Sequence, residues 1–151
     1  IDSYNKIIGG GDMSKSTKFI SAKEDVEAFL HDRISVLNCP DFNIDTDLDI
    51  LPKKKAESPI DPFTTANTML ELDFDRKDVW HHLISLDLSE YLETFIDDKD
   101  PLWPPFFAFA KSIKSRDVYI KAKIRDRVNG KVFCVSFHFA RHPFPDTLPY
   151  A

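Results

Sequence analysis

His138, Lys121 and Tyr119 bring an imidazole, an ammonium group and a phenol to neighbouring positions near the end of the chain. With an ordinary pKa of about 6.5, an imidazole can accept and donate a proton at neutral pH. An ammonium group stabilises the charge that develops on a phosphorane, and a phenol can orient a phosphate or stack on a base. Together they are what cleavage of RNA by 2′-hydroxyl attack requires. Lys111 is a candidate second phosphate stabiliser, and Lys123, Arg125, Arg141 and His142 are candidate RNA contacts. Each residue also has a plainer reading: a structural histidine, solvated strand cations, an ordinary cross-strand aromatic.

The element that must position them is Asp117 to Ala140. Two runs rich in β-branched and aromatic residues flank Asn129-Gly130, the dipeptide best suited to a type I′ hairpin turn. With that turn, Val118, Ile120, Ala122 and Ile124 lie opposite Phe139, Phe137, Val135 and Phe133 on an apolar face. The other face sets Tyr119, Lys121, Lys123 and Arg125 opposite Ala140, His138, Ser136 and Cys134. Lys121 and His138 are then direct cross-strand neighbours, with Cβ atoms roughly 4.5 to 5.5 Å apart, on a face open to solvent.

The overall charge of −5 conceals an asymmetry. Residues 106 to 151 hold nine Lys or Arg against three acids, while the remaining 105 residues hold 11 basic and 22 acidic residues. A basic hairpin on an acidic body suits a polyanion, because its cations release counterions from phosphates. The length suits one domain with a full core. No apolar run is long enough to span a membrane and no secretory leader is evident, so a cytoplasmic, non-membrane protein is expected. Cys39 and Cys134 have no metal-ligand spacing and read as free thiols. His81 and His82 are adjacent, not i, i+4, and so make no metal pair on a helix. No phosphate loop, HExxH or paired-cysteine pattern is present, and no cofactor or metal is called for.

Along the chain, residues 1–12 precede Met13 and read as a cloning remnant, leaving 13–151 as a single domain. Ser21 and Glu24 predict a capping box for a helix with the stripe Val26, Phe29, Leu30, Ile34 and Leu37, ending near Asn38. Residues 39–62, with four prolines, an acidic run and Lys53 to Lys55, read as a loop or tether. Thr64 or Thr65 caps a short helix to Leu70, and Asp75 and Asp78 open another. Residues 91–140 read as an antiparallel sheet, with strands at Tyr91 to Ile96, Phe106 to Lys111 and the hairpin. Trp103 can stack on a nucleobase, but set between prolines it reads rather as a core plug. The expected fold class is α+β: N-terminal helices packed on a three- to four-stranded antiparallel sheet.

The segments TTANTMLELDFDRKDV, FFAFAKSIKSRDVYIKAKI and VFCVSFHFARHPFPDTLPY, covering about residues 64 to 151, resemble the MqsR family of type II toxins. The resemblance implies a RelE-like fold whose exposed sheet face cuts mRNA without a metal. It also implies a cognate antitoxin that carries a zinc-binding domain and a helix-turn-helix domain. The family's essential tyrosine falls on Tyr119 and the lysine two residues later on Lys121. Two positions depart from the pattern: a catalytic lysine falls on Glu93 and a catalytic glutamine on Pro104. The C-terminal lysine after Ser-Phe is His138. The leading expectation is therefore an endoribonuclease toxin, an mRNA interferase. The alternative is a non-catalytic RNA- or protein-binding module on the same fold. In a third possibility, the acidic stretch 41 to 49 folds over the basic face and masks it.

Overall fold

The structure, a computed structural model, describes residues 17–151. The remnant read at 1–12 lies outside them. In chain order the elements are β1 (Lys18–Phe19), α1 (Lys23–Leu37), α2 (Ile44–Asp47), β2 (Leu48–Ile50), α3 (Thr65–Leu72), α4 (Arg76–Ile84), a 3₁₀ turn (Leu88–Glu90), β3 (Tyr91–Phe95), β4 (Phe106–Ile113), β5 (Arg116–Asp126) and β6 (Lys131–Phe139). The described residues form an α+β fold with one six-stranded sheet in the order β1-β3-β4-β5-β6-β2. All neighbours are antiparallel except β2 and β6, which run parallel. The sheet is thus mixed and larger than the three- to four-stranded antiparallel one expected. No helix among the described residues is long and apolar enough to cross a membrane.

The extra edge strand, β2, lies inside the stretch read as a loop or tether. Its three residues are too few to show a period, but Leu48 is 1% exposed and anchors it in the core. The outer edge of β6 is covered along its length. Leu48 to Ile50 pair with Val132 to Cys134, and beyond them Thr65 and Thr68 of α3 accept from the amides of Phe137 and Phe139, both at 3.0 Å. One turn of spacing puts both hydroxyls on one face, so no unpaired ladder is left exposed there.

The helices cover one face of the sheet. Phe29 of α1 stacks on Phe107 with centroids 4.3 Å apart, and Val26, Val36, Leu37, Val79 and Leu83 join Phe109, Ile120 and Phe137 in the core. Two details of α1 differ from the sequence reading. Ser21 does not cap it; the N-cap is Ala22, which makes no side-chain cap bond. The Ser21 hydroxyl instead meets Thr94 Oγ1 at 2.7 Å, and its amide donates to the Tyr91 hydroxyl. The buried stripe holds Arg33 and Val36, while Ile34 stays exposed. Downstream, Thr64 caps α3 and Asp75 with Asp78 forms a capping box on α4.

The hairpin register also differs. Asn129-Gly130 does not make a two-residue turn: only Gly130 has positive φ (68°), and the Asp126 carboxylate accepts from the Asn129 amide and side chain across a four-residue loop. The two-residue turn with both φ positive lies between β4 and β5, at Lys114 (50°) and Ser115 (67°). Lys114 is held there by donating from Nζ to the Leu72 carbonyl at 2.8 Å. Ser115 has only the conformational cost, so Ser115→Gly is expected to raise stability by about 1 kcal/mol. Chemical denaturation checks this as a higher midpoint at unchanged m-value.

With the longer loop, Tyr119 pairs with His138 and Lys121 with Ser136. A bulge at Val135 then shifts the register, so that Ala122 pairs with Cys134 and Ile124 with Val132. The extra residue turns Cys134 and Val132 into the core and puts Phe133 on the opposite face beside Lys123, the reverse of the predicted alternation.

Candidate functional site

The face of the sheet away from the helices is built in rows. One row runs Ala110, Tyr119, His138; the next runs Glu93, Ala108, Lys121, Ser136. The two alanines of β4 carry only methyl groups, so larger side chains from β3 and β5 can meet across them. The Tyr119 hydroxyl donates to Glu93 Oε2 at 3.3 Å over this floor. On its other side the Tyr119 ring stacks on His138, with centroids 5.4 Å apart and planes 24° from parallel.

Protonation is set by burial here. His138 is 8% exposed, not on an open face as the alternation predicted. Its Nδ1–H donates to the Phe139 carbonyl at 3.0 Å, which leaves Nε2 to carry the lone pair. Burial lowers its pKa, the Phe139 bond opposes this, and the positive charge of Lys54 adds to the lowering. The imidazole is therefore neutral at pH 7. Lys121 is also lowered, to about 8, first by burial and then by Lys54. Its ammonium lies 4.1 Å from the centre of the Phe95 ring, and it makes no ion pair among the described residues. Tyr119 is pushed the other way, first by burial and then by the Glu93 carboxylate, so it remains a phenol and a donor.

The remaining candidates do not join this group. Lys111 lies in register with Val118 on the helix-covered face, where its Nζ meets Glu90 at 3.0 Å. Lys123 is 4% exposed and bonded to Asp97 at 2.6 Å. Burial alone would raise the Asp97 pKa, but the bonds from Lys123 and the Lys99 amide outweigh it and the carboxyl is held low. Arg125 pairs with Asp49 at 3.2 Å, and Lys131 with Asp47 at 2.5 Å. Arg141 bridges Glu57 at 2.7 Å and Asp61 at 3.0 Å, beyond the end of β6. His142 is exposed next to Arg141 and bears on a separate shallow depression with Phe63 and Arg116.

The basic hairpin is thus largely neutralised from within. Acids of the segment 47–61 take three of its cations and Asp97 a fourth. The acidic stretch does reach the basic face, through Asp47 and Asp49. Such pairing needs residues tens of positions apart to meet, which local composition does not reveal. Glu93 is a functional candidate that the sequence marks only as a departure from a family pattern; the alanine floor brings its carboxylate to Tyr119.

Next to Lys121 the face opens into a cavity of about 820 Å³. Its wall includes Phe95, Phe106 and Phe133, with Trp103 at 49% exposure and not in the core. Phe133 reaches it only because of the Val135 bulge. Cys39 and Cys134 are free; the Cys134 thiol is fully enclosed and pushed up to about 12, chiefly by burial. His82 is half-buried and stacks on Phe74.

No known protein family, curated protein or solved structure matches the chain.

Proposed function

We propose that this chain is an endoribonuclease of the toxin type, cutting mRNA by attack of a 2′-hydroxyl on the adjoining phosphate. The observation that carries the reading is the row of Tyr119 stacked on His138 beside Lys121, an ammonium with no ion-pair partner among the described residues. His138 accepts the 2′-hydroxyl proton at Nε2 as that oxygen attacks phosphorus. Tyr119 holds a non-bridging oxygen, with Glu93 fixing the direction of its hydroxyl. Lys121 stabilises the phosphorane and gives its proton to the departing 5′-oxygen. The products are a 2′,3′-cyclic phosphate and a 5′-hydroxyl. Two groups displaced in pKa from their usual values, one neutral and one cationic at pH 7, suit a base and an acid. As a toxin, the chain would be restrained by a cognate antitoxin, and co-expression relieving growth arrest tests that partner.

The reading sets the sign of the pH dependence. Cleavage rises as His138 loses its proton, below the ordinary imidazole range, and falls as Lys121 loses its own near pH 8. A pH–rate profile checks this: in Lys121→Arg the alkaline fall should disappear because a guanidinium stays charged, while the rate drops across the whole range because it cannot give up its proton to the leaving oxygen.

One set of contacts favours a second reading. With Lys123, Arg125, Lys131 and Arg141 all held by acids, the positive charge at this face comes chiefly from Lys121 and Lys54, which suits holding a short acidic segment in a non-catalytic binding module that has kept the fold. Binding of RNA or an acidic peptide without cleavage products would distinguish that module from a nuclease.

A further inference from the structure

The cavity beside Lys121 is within the range of about 300–1,000 Å³ common to small-molecule sites. It combines three features. Trp103 offers a half-exposed indole face at its wall. The Arg125 guanidinium lies 4.3 Å from the centre of the Phe133 ring, a flat cation on which a second ring can stack. Asp98 lines the cavity with a carboxylate that makes no side-chain hydrogen bond or ion pair among the described residues, unlike Asp97 beside it.

We propose that this cavity receives one unstacked nucleobase of single-stranded RNA, that of the nucleotide adjoining the phosphate held at Lys121, and that Asp98 selects a base with an exocyclic amino group. This rests on the nuclease reading for its position next to a cut. Aromatic and guanidinium faces stack on any base, so those residues give affinity without choice. A carboxylate accepts from the amino group of cytosine, adenine or guanine and repels the carbonyl oxygen that uracil presents at the corresponding edge. Lys121 belongs to both places: its ammonium borders the cavity, and its strand position is two residues from Tyr119.

The test is titration of the full chain with cytidine and uridine 5′-monophosphate, followed by tryptophan fluorescence. Cytidine monophosphate should quench saturably and bind about tenfold tighter than the uridine form, a preference that Asp98→Asn removes. The quenching should be lost in Trp103→Phe and kept in Trp80→Phe, whose indole donates to the Leu37 carbonyl on the helical side. Equal affinity for both nucleotides, absence of quenching, or quenching that survives Trp103→Phe overturns the pocket. Mapping of cut sites in RNA separates the two ideas. Cleavage with no preference for an amino-bearing base at the cut overturns the pocket and leaves the nuclease; discriminating nucleotide binding with no cleavage removes the nuclease and leaves the pocket as a nucleotide site.

Discussion

His138→Asn is expected to lower RNA cleavage by about 10²- to 10⁴-fold, the usual contribution of a positioned proton-transfer group. Asparagine is the informative substitution because His138 is buried. Its side-chain amide reaches about where Nδ1 lies and can still donate to the Phe139 carbonyl, so the local hydrogen bond survives. What it lacks is the basic nitrogen and the ring stacked on Tyr119. His138→Ala would remove the carbonyl's partner as well, so loss of activity there could come from local collapse. Melting of His138→Asn near the wild-type temperature, with product formation at the lower rate, is the outcome that assigns the loss to proton transfer. Wild-type rates in the Asn variant would remove His138 from the mechanism. Tyr119→Phe should cost less, since it deletes one donor and keeps the ring stacked on the imidazole.

Arg33→Met is expected to destabilise the fold by about 3–5 kcal/mol. Arg33 lies on the buried side of α1, 7% exposed. Its Nη1 donates to the carbonyls of Leu83 at 3.0 Å, Ile84 at 2.5 Å and Leu86 at 2.9 Å. Leu83 and Ile84 end α4 and Leu86 lies just beyond it; the last carbonyls of a helix have no partners within it and concentrate negative partial charge. The guanidinium therefore ties α1 to α4 and satisfies groups that would otherwise be buried without donors. It does so at a cost, because burial lowers its own pKa and the charges of Asp87 and Glu90 only partly offset this. Methionine fills similar space but leaves three carbonyls orphaned. The melting temperature should fall by roughly 10 °C or more, and Arg33→Lys, with one compact ammonium instead of a planar fork, should be intermediate. A fall of only a few degrees for Arg33→Met would mean that the carbonyls find water.

Much of the helical half was legible, because its signals are local. Thr64 caps α3, Asp75 and Asp78 form a reciprocal box, and Asn38 ends α1, all from short-range side-chain chemistry. The failures were non-local. Asn129-Gly130 gave the hairpin, but its loop length depends on Asp126 accepting from Asn129, and that choice moved His138 from Lys121 to Tyr119. The bulge at Val135 leaves no mark in an apolar run where Val132 to Val135 suit either face. β2 is three residues in an acidic stretch, held by one buried leucine and by β6. Arg33 fell in the buried stripe because the end of α4 supplies its acceptors, a fact of tertiary packing. At the site, Tyr119, Lys121 and His138 were legible as chemistry, while the loss of Lys123, Arg125 and Arg141 to acids was not, since charge counting is blind to partners.

The most direct test of the central claim is incubation of the purified full chain with a long single-stranded RNA in EDTA, wild type beside His138→Asn, with cut sites read by primer extension. Discrete cuts by the wild type, ending in 2′,3′-cyclic phosphate and nearly absent in the variant, are the predicted result. Intact RNA from folded wild-type protein, or equal cutting by the two proteins, would contradict the account.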